Sequence, residues 1–235
     1  MKQKTFCFIF ARGGSKGIPN KNILPIGGLP LLVHSINLAK SLGEVDKIFV
    51  STDCKVISEI AIEHNVEVIK RPIYLAQDHS SEWLAWQHAI KYVETYEEKF
   101  DRFLSLPTTA PLRTKRDIEK CLEALKKDVD LVVTMTKSKR SPWFNMVTRD
   151  ESSKLNLIFS EPRIIRRQDS PQCFDLTTIA YVSRPHYIMN STSIWDGIVQ
   201  GVEIPSERSI DIDDTYDYTI ARLLMEKNDL TDNLF

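Results

Sequence analysis

Arg12, Lys16 and Lys21 fall within ten residues that contain no acid, and Gly13, Gly14 and Gly17 stand between them. Glycines let a backbone turn tightly and bring its N–H groups close to a ligand, and cations add charge to such a nest. Pro19 stiffens the exit. That set of residues suits a polyphosphate. On loop composition alone an exposed basic turn is an equal reading. The segment is not a Walker loop, because Lys16 is not placed for one. It is not a dinucleotide fingerprint either, because Arg12 stands where the first glycine would be. Its position favours a ligand. It follows the apolar run Phe6–Phe10, which reads as a buried first strand, and open α/β sheets bind ligands at the carboxyl ends of their strands.

A second stretch carries the opposite charge. Ser209-Ile210-Asp211-Ile212-Asp213-Asp214 alternates acids with isoleucines. In an extended chain Asp211 and Asp213 share one face, about 7 Å apart, and Ile210 and Ile212 share the other. Two such carboxylates can hold Mg²⁺, which takes one or two acids and fills its remaining positions with water and phosphate oxygens. Helix capping is the structural alternative and is the reading for Asp214, just before Thr215-Tyr216-Asp217. Between these stretches lies Leu106-Pro107-Thr108-Thr109-Ala110-Pro111-Leu112-Arg113. It reads both as a strand-to-helix turn, with Thr109 or Thr114 as the cap, and as a pocket wall.

Alternating elements must position these residues. Strands are predicted at Thr5–Phe10, Lys47–Ser51, Val66–Ile69, Arg102–Leu106 and Leu131–Met135. Helices are predicted at Leu31–Leu42, Val56–His64, about Glu82–Tyr96 and about Lys115–Lys127. Trp83, Trp86, Ile90 and Val93 recur at helical spacing and read as core. This β/α alternation predicts an α/β fold with a mostly parallel sheet covered on both faces. After Met135 the rhythm breaks. Short pieces at Phe144–Thr148 and Leu155–Phe159, followed by Arg163-Ile164-Ile165-Arg166-Arg167, read as a β-rich arm at about 137–185 inserted in a single 1–235 domain. Trp143 and Phe144 would supply apolar area for a second subunit. Thr178–Val182, Gly201–Ile204 and a last helix from about Thr215 to Asn228 complete the expectation.

The net charge of −1 argues against a general nucleic-acid or membrane-surface binder. No apolar run reaches the ~20 residues of a membrane span, and the first ten residues lack a signal-peptide layout, so a cytoplasmic location is expected. Cys7, Cys54, Cys121 and Cys173 form no C-x-x-C pair. Cys7 and Cys121 read as buried thiols. The five histidines show no metal-ligand spacing.

The chain resembles the acylneuraminate cytidylyltransferases over most of its length. Six motifs in order carry the resemblance: Ala11-Arg12-Gly13-Gly14-Ser15-Lys16-Gly17-Ile18-Pro19-Asn20-Lys21-Asn22; Ser51-Thr52-Asp53; Arg71-Pro72 with Leu75-Ala76-Gln77-Asp78; Thr109-Ala110-Pro111-Leu112-Arg113; Arg167-Gln168-Asp169-Ser170-Pro171; and Ser209–Asp213. The resemblance implies a Rossmann-like nucleotidyltransferase fold with a dimerisation arm, and hence a homodimer. It implies CTP and Mg²⁺ as co-substrate and cofactor. The implied reaction joins CMP to the anomeric hydroxyl of a nine-carbon α-keto acid sugar, a nonulosonic acid, and releases pyrophosphate. By the same resemblance Arg12, Gly13, Ser15 and Lys21 hold the triphosphate, and Asn22, Arg71 and Ser81 place the nucleoside. Asp211 and Asp213 hold metal, and Arg167 and Gln168 face the sugar acid. Arg12 and Lys21 would then stabilise the departing pyrophosphate, with Asp211 assisting activation of the hydroxyl.

Three departures all lie on the sugar side. Leu106 or Pro107 stands where the family often has Gln, Thr177-Thr178 where it has Asn-Gly, and Trp143-Phe144 where it has Lys. The expectation is therefore retained cytidylyl transfer with an altered acceptor, with legionaminic acid or another bacterial nonulosonic acid weighed at least equally with N-acetylneuraminic acid. Rival readings are a cytidylyltransferase for the eight-carbon acid Kdo, a non-catalytic nucleotide-binding module, and a dehydrogenase. The last is weakened by the absent G-x-G-x-x-G.

Overall fold

The computed structural model describes residues 3–15, 17–159 and 166–232. Lys16 and the Arg163-Ile164-Ile165 run lie outside the described residues. The strands are β1 (Thr5–Phe10), β2 (Pro25–Ile26), β3 (Leu29–Pro30), β4 (Val45–Thr52), β5 (Glu67–Lys70), β6 (Arg102–Ser105), β7 (Leu131–Lys137), β8 (Val147–Arg149), β9 (Leu155–Leu157), β10 (Phe174–Ser183) and β11 (Val199–Glu203). The helices are α1 (Leu31–Ser41), α2 (Lys55–Glu63), α3 (Glu82–Tyr96), α4 (Lys115–Ala124), α5 (Pro185–Asn190) and α6 (Thr215–Asp232).

Seven strands form the main sheet in the order β11-β7-β10-β6-β1-β4-β5. β1 pairs in parallel with β4 and β6, β4 with β5, and β7 with β11. β10 runs antiparallel between β6 and β7. The sheet is therefore mostly parallel. β1 is apolar on both faces because both faces are covered. Cys7 and Ile9 pack with Leu32, Ile36, Ile57 and Ile118 of α1, α2 and α4. Phe6 and Phe8 pack with Trp83, Trp86 and Ile90 of α3 and Ile188 of α5. Covering helices on both sides make a near-continuous apolar strand the stable solution.

A smaller core positions the site. Ile18 of the cationic loop, Ile26, Leu31, Leu112, Ile212 of the acidic stretch and Ala221 of α6 form one buried cluster. Burying Ile212 alone stabilises by about 2 kcal/mol. Two segments far apart in sequence are thus held against each other by apolar side chains.

β10 is longer than the predicted Thr178–Val182 and belongs to the central sheet. The excursion from the sheet therefore leaves after Lys137 and rejoins it at Phe174, ahead of the C-terminal end expected for the arm. Within it β8 and β9 form a two-stranded antiparallel hairpin whose residues are all exposed. β10 also breaks register: Thr177 opposes Thr134, yet Val182 opposes Val132. Such irregularities re-aim side chains, and here the break includes Thr178. α5 was not expected from the sequence, because six residues after Arg184 are too few to show a helical period.

Candidate functional site

The segments that follow β1, β5 and β6, with the first turns of α3, enclose a cleft of about 420 Å³. Arg12, Ser15, Lys21, Asn22, Arg71 and Ser81 all line it, as does Asp213. Arg12, Lys21, Asn22 and Arg71 are each held by a particular neighbour. Arg12 pairs with Asp78 Oδ1 at 2.7 Å. The Gly13 N–H donates to Asp53 Oδ1 at 3.0 Å, so Gly13 faces the loop after β4 rather than the cleft. The Asn22 amide donates to the Arg12 carbonyl at 2.9 Å, and its carbonyl accepts from the Thr108 hydroxyl. With both ends of its side chain engaged, Asn22 ties the loop to the turn after β6. Ser81 is the N-cap residue of α3 and is exposed on the cleft wall.

Arg71 is buried. Its Nη2 donates to the Ser51 carbonyl at 2.7 Å and its Nε to the Ser51 hydroxyl at 3.2 Å. Its guanidinium lies over the Phe10 ring, 5.5 Å from the centroid. Burial lowers its pKa to about 10, against the opposing charges of Asp53 and Glu82, and it stays a cation at neutral pH.

The cationic loop and the acidic stretch meet at this cleft. Lys21 Nζ lies 2.9 Å from Asp213 Oδ1. Gly17 approaches Asp213 so closely that a Cβ on it would stand 2.3 Å from the Asp213 carbonyl oxygen. The expected strand geometry of Ser209–Asp213 is corrected: the stretch joins no ladder. Ile212 N–H donates to the Thr109 carbonyl at 2.9 Å and ties the stretch to the turn after β6. Its burial still alternates in part, with Ile212 buried and Asp213 exposed. Asp214 caps α6, its Oδ1 accepting from the N–H groups of Tyr216 and Asp217 at 2.8 and 2.9 Å. The expected cap on α4 is Thr114, in a reciprocal pair with Asp117.

Asp211 is half-buried, and its Oδ1 is shut off from solvent with no hydrogen-bond partner. Its charge is felt by Arg113, Glu82 and Tyr181. Arg113 is buried and its pKa falls to about 10. It braces the wall by donating to the Pro107 carbonyl, to the Ile179 carbonyl at 3.3 Å and to the Ser35 hydroxyl at 2.6 Å. Burial, reinforced by Glu82 and Asp211, pushes Tyr181 up to about 12. Among the described residues no group of three or more His, Cys, Asp or Glu side chains forms a metal cage.

Sequence reasoning missed two cleft residues. Glu82 is solvent-exposed on the cleft wall, where nearby protein still displaces part of the water around its carboxyl. Desolvation pushes its carboxyl up, opposed by the bond from Trp86 Nε1 and by Arg71, and helped by Asp211. Its one signal was an acid in the first turn of a helix. Thr178, with a buried and unpartnered hydroxyl, also lines the cleft. In the sequence Thr178 is the start of a predicted strand and a departure from a motif, neither of which marks a cleft residue.

Arg167 and Gln168 are not brought to this cleft. They lie in a short 3₁₀ turn, Arg167–Asp169, and Arg167 borders a separate cavity of about 580 Å³ at the root of the arm with Lys137, Lys139 and Arg140.

Comparison with known proteins follows the same lines. The chain is 31% identical to the post-translational flagellin modification protein B of Campylobacter coli, over 95% of this chain and 96% of that one. It is 30% identical to the CMP-N,N'-diacetyllegionaminic acid synthase of Campylobacter jejuni, over 96% of each. It is 29% identical to an N-acylneuraminate cytidylyltransferase of Streptococcus agalactiae, and there the match covers 95% of this chain but 54% of the relative. A solved CMP:2-keto-3-deoxy-manno-octonic acid synthetase, complexed with CTP, superposes with a TM-score of 0.71 at 17% identity, over 96% of this chain and 99% of that one, which shows a shared fold. A family model described as cytidylyltransferase matches residues 6–193, and on that match the chain belongs to the cytidylyltransferase family.

Proposed function

We propose that the chain transfers CMP from CTP to the anomeric hydroxyl of a nine-carbon α-keto acid sugar and releases pyrophosphate. The observation that carries this reading is the closure of one cleft by opposite charges, with Lys21 2.9 Å from Asp213 and Gly17 against the Asp213 backbone. A sugar hydroxyl is a weak nucleophile and a triphosphate is shielded by its own charge, so positioning and charge neutralisation do most of the work. Arg12, Ser15 and Lys21 hold the triphosphate, and the Gly13 turn keeps Arg12 in register. Asn22, Arg71 and Ser81 place the nucleoside. As pyrophosphate leaves, Arg12 and Lys21 offset the growing negative charge.

The acids fit a Mg²⁺ ion. The buried Oδ1 of Asp211 lacks a partner, and Asp213 offers an exposed carboxylate, which suits an ion that takes its other ligands from water and phosphate. When bound, Mg²⁺ would supply positive charge beside the reacting phosphate. Asp213 would then exchange its Lys21 contact for the ion, freeing the ammonium for the triphosphate.

Legionaminic acid or a related nonulosonic acid is proposed as acceptor ahead of N-acetylneuraminic acid. Pro107 and Thr178, two of the sugar-side departures, line the cleft, and the legionaminic acid relative aligns over nearly its whole length. Arg167 and Gln168 are proposed to reach the sugar of a second copy, which the arm would embrace in a homodimer. The exposed Phe144, Leu155 and Phe159 of the arm support that placement. The test is pyrophosphate release from CTP and Mg²⁺ across a panel of nonulosonic acids and Kdo. Turnover with a legionaminic-type acid is expected. A clear preference for N-acetylneuraminate or Kdo would refute the acceptor assignment.

A further inference from the structure

Among the described residues three cations and three acids line the cleft: Arg12, Lys21 and Arg71 against Asp78, Glu82 and Asp213. Their formal charges cancel. The two cations read as triphosphate ligands are already matched, Lys21 by Asp213 at 2.9 Å and Arg12 by Asp78 at 2.7 Å. A triphosphate entering the cleft must therefore part both pairs. Asp213 can turn to the ion proposed above. Asp78 belongs to another segment, the loop 75–80 after β5, and needs an exit of its own.

The fold provides one. Arg12, Ser15, Gln77 and Asp78 also line a second cavity of about 660 Å³, so the ion pair stands in a wall that the two cavities share. Both partners of the pair are partly exposed, and an ion pair in such a place is weak enough to exchange partners. The loop that carries Asp78 is closed by bonds of its own. Ser80 Oγ donates to the Tyr74 carbonyl at 2.7 Å and accepts from the Gln77 N–H at 3.2 Å, and the Ser80 N–H donates to the Gln77 carbonyl at 3.1 Å. None of these bonds involves Arg12. The carboxylate can thus turn into the second cavity while its backbone stays in place. Arg12 also donates to the Ala76 carbonyl at 3.4 Å, which keeps the guanidinium beside the cleft when Asp78 lets go. Its planar fork then meets phosphate oxygens.

We propose that Asp78 is a displaceable counter-ion: the triphosphate takes its place on Arg12, and Asp78 recaptures Arg12 as pyrophosphate leaves. Asp78 is thus a positioning residue, which holds Arg12 at the cleft between turnovers and weakens the grip on the leaving group. This assignment rests on the cytidylyl-transfer reading above and adds to it a means of product release.

Calorimetric titration of the full chain with inorganic pyrophosphate, CTP and CMP, with Mg²⁺ and without acceptor, tests it. Asp78→Asn should bind pyrophosphate and CTP about tenfold more tightly, because a competing charge is gone. CMP, which lacks the phosphates that leave, should gain about threefold at most. In steady state the KM for CTP and the inhibition constant of pyrophosphate should fall together, with no rise in kcat. Asp78→Glu, which keeps the carboxylate, should stay within about threefold of the wild type, and melting curves check that both variants fold. Pyrophosphate bound by Asp78→Asn no more tightly than by the wild type would overturn the assignment and leave cytidylyl transfer standing. So would an equal gain for CMP, which would mark a general effect of charge on the cleft. A wild type that binds neither CTP nor pyrophosphate would overturn both readings.

Discussion

Gly17 has no space for a side chain, since its Cβ would lie 2.3 Å from the backbone oxygen of Asp213. Backbone cannot yield as a flexible side chain can, so Gly17→Ala must push the cationic loop away from the acidic stretch. A displacement near 1 Å at a site that works by positioning costs about 100-fold in rate. Steady-state pyrophosphate release should fall by that order, while the melting temperature changes little because Gly17 lies outside the main sheet. The thiols give a second residue-scale prediction. Burial drives Cys7 far above the ordinary thiol range and Cys121 up to about 12, and the thiolate is the reactive form. An aromatic disulfide reagent should label Cys54 and Cys173 in the native protein, and Cys7 and Cys121 only after denaturant is added. Residue identity is legible where charge stands beside glycine, as at Arg12, Ser15 and Lys21. Glu82 was not legible, because its neighbours Trp83 and Trp86 set a helical core period that hides an acid facing the other way. Asn22, expected at the ligand, lines the cleft and also ties two loops together.

Helix α4 and the segment before the acidic stretch are joined by an ion pair whose carboxylate is buried and whose guanidinium is partly exposed. Arg208 Nε and Nη2 each lie 2.9 Å from an Asp117 carboxylate oxygen, and Asp117 is fully buried. Burial alone would raise the Asp117 pKa, but the bonds from Arg208 and Thr114 outweigh it and hold the group below the usual aspartate value of 3.8. A depressed carboxylate stabilises the fold above the unfolded pKa, and that stability is lost as pH falls through the folded value. Asp117→Asn should therefore cost roughly 3 kcal/mol near neutrality. In urea titrations the gap between variant and wild type should close as pH drops below the ordinary aspartate range. A gap that stays constant into acid would show that the ion pair is not its source. Element order was legible because strands and helices alternate with distinct periods. β10 was underestimated because its first residues, Phe174–Leu176, are exposed and polar-interrupted, so pairing with β7 rather than apolarity defines them. The acidic stretch looked like a strand because its isoleucines alternate, yet a neighbouring turn and one small core hold it instead of a ladder.

At the scale of the whole molecule, the arm exposes apolar residues that a lone subunit leaves in water, including Leu155 at 60% and Phe159 at 52%. Exposed apolar area of this kind marks an interaction surface. Light scattering should report a dimer, and a double variant Leu155→Asp, Phe159→Asp should run as a monomer with reduced turnover, because Arg167 and Gln168 would lose the site proposed for them. The sequence could not show that these two residues stand apart from the cleft, since motif order does not fix where a motif lies in space. The account depends most on the cationic loop and the acidic stretch acting on one nucleotide. Pyrophosphate release measured for Arg12→Ala and Asp211→Asn, beside the wild type with CTP, Mg²⁺ and its preferred acid, tests that directly. Each variant should lose about 100-fold or more and still melt cooperatively near the wild-type temperature. If either folded variant keeps wild-type turnover, the two segments do not share the reacting phosphate and the proposed site is wrong.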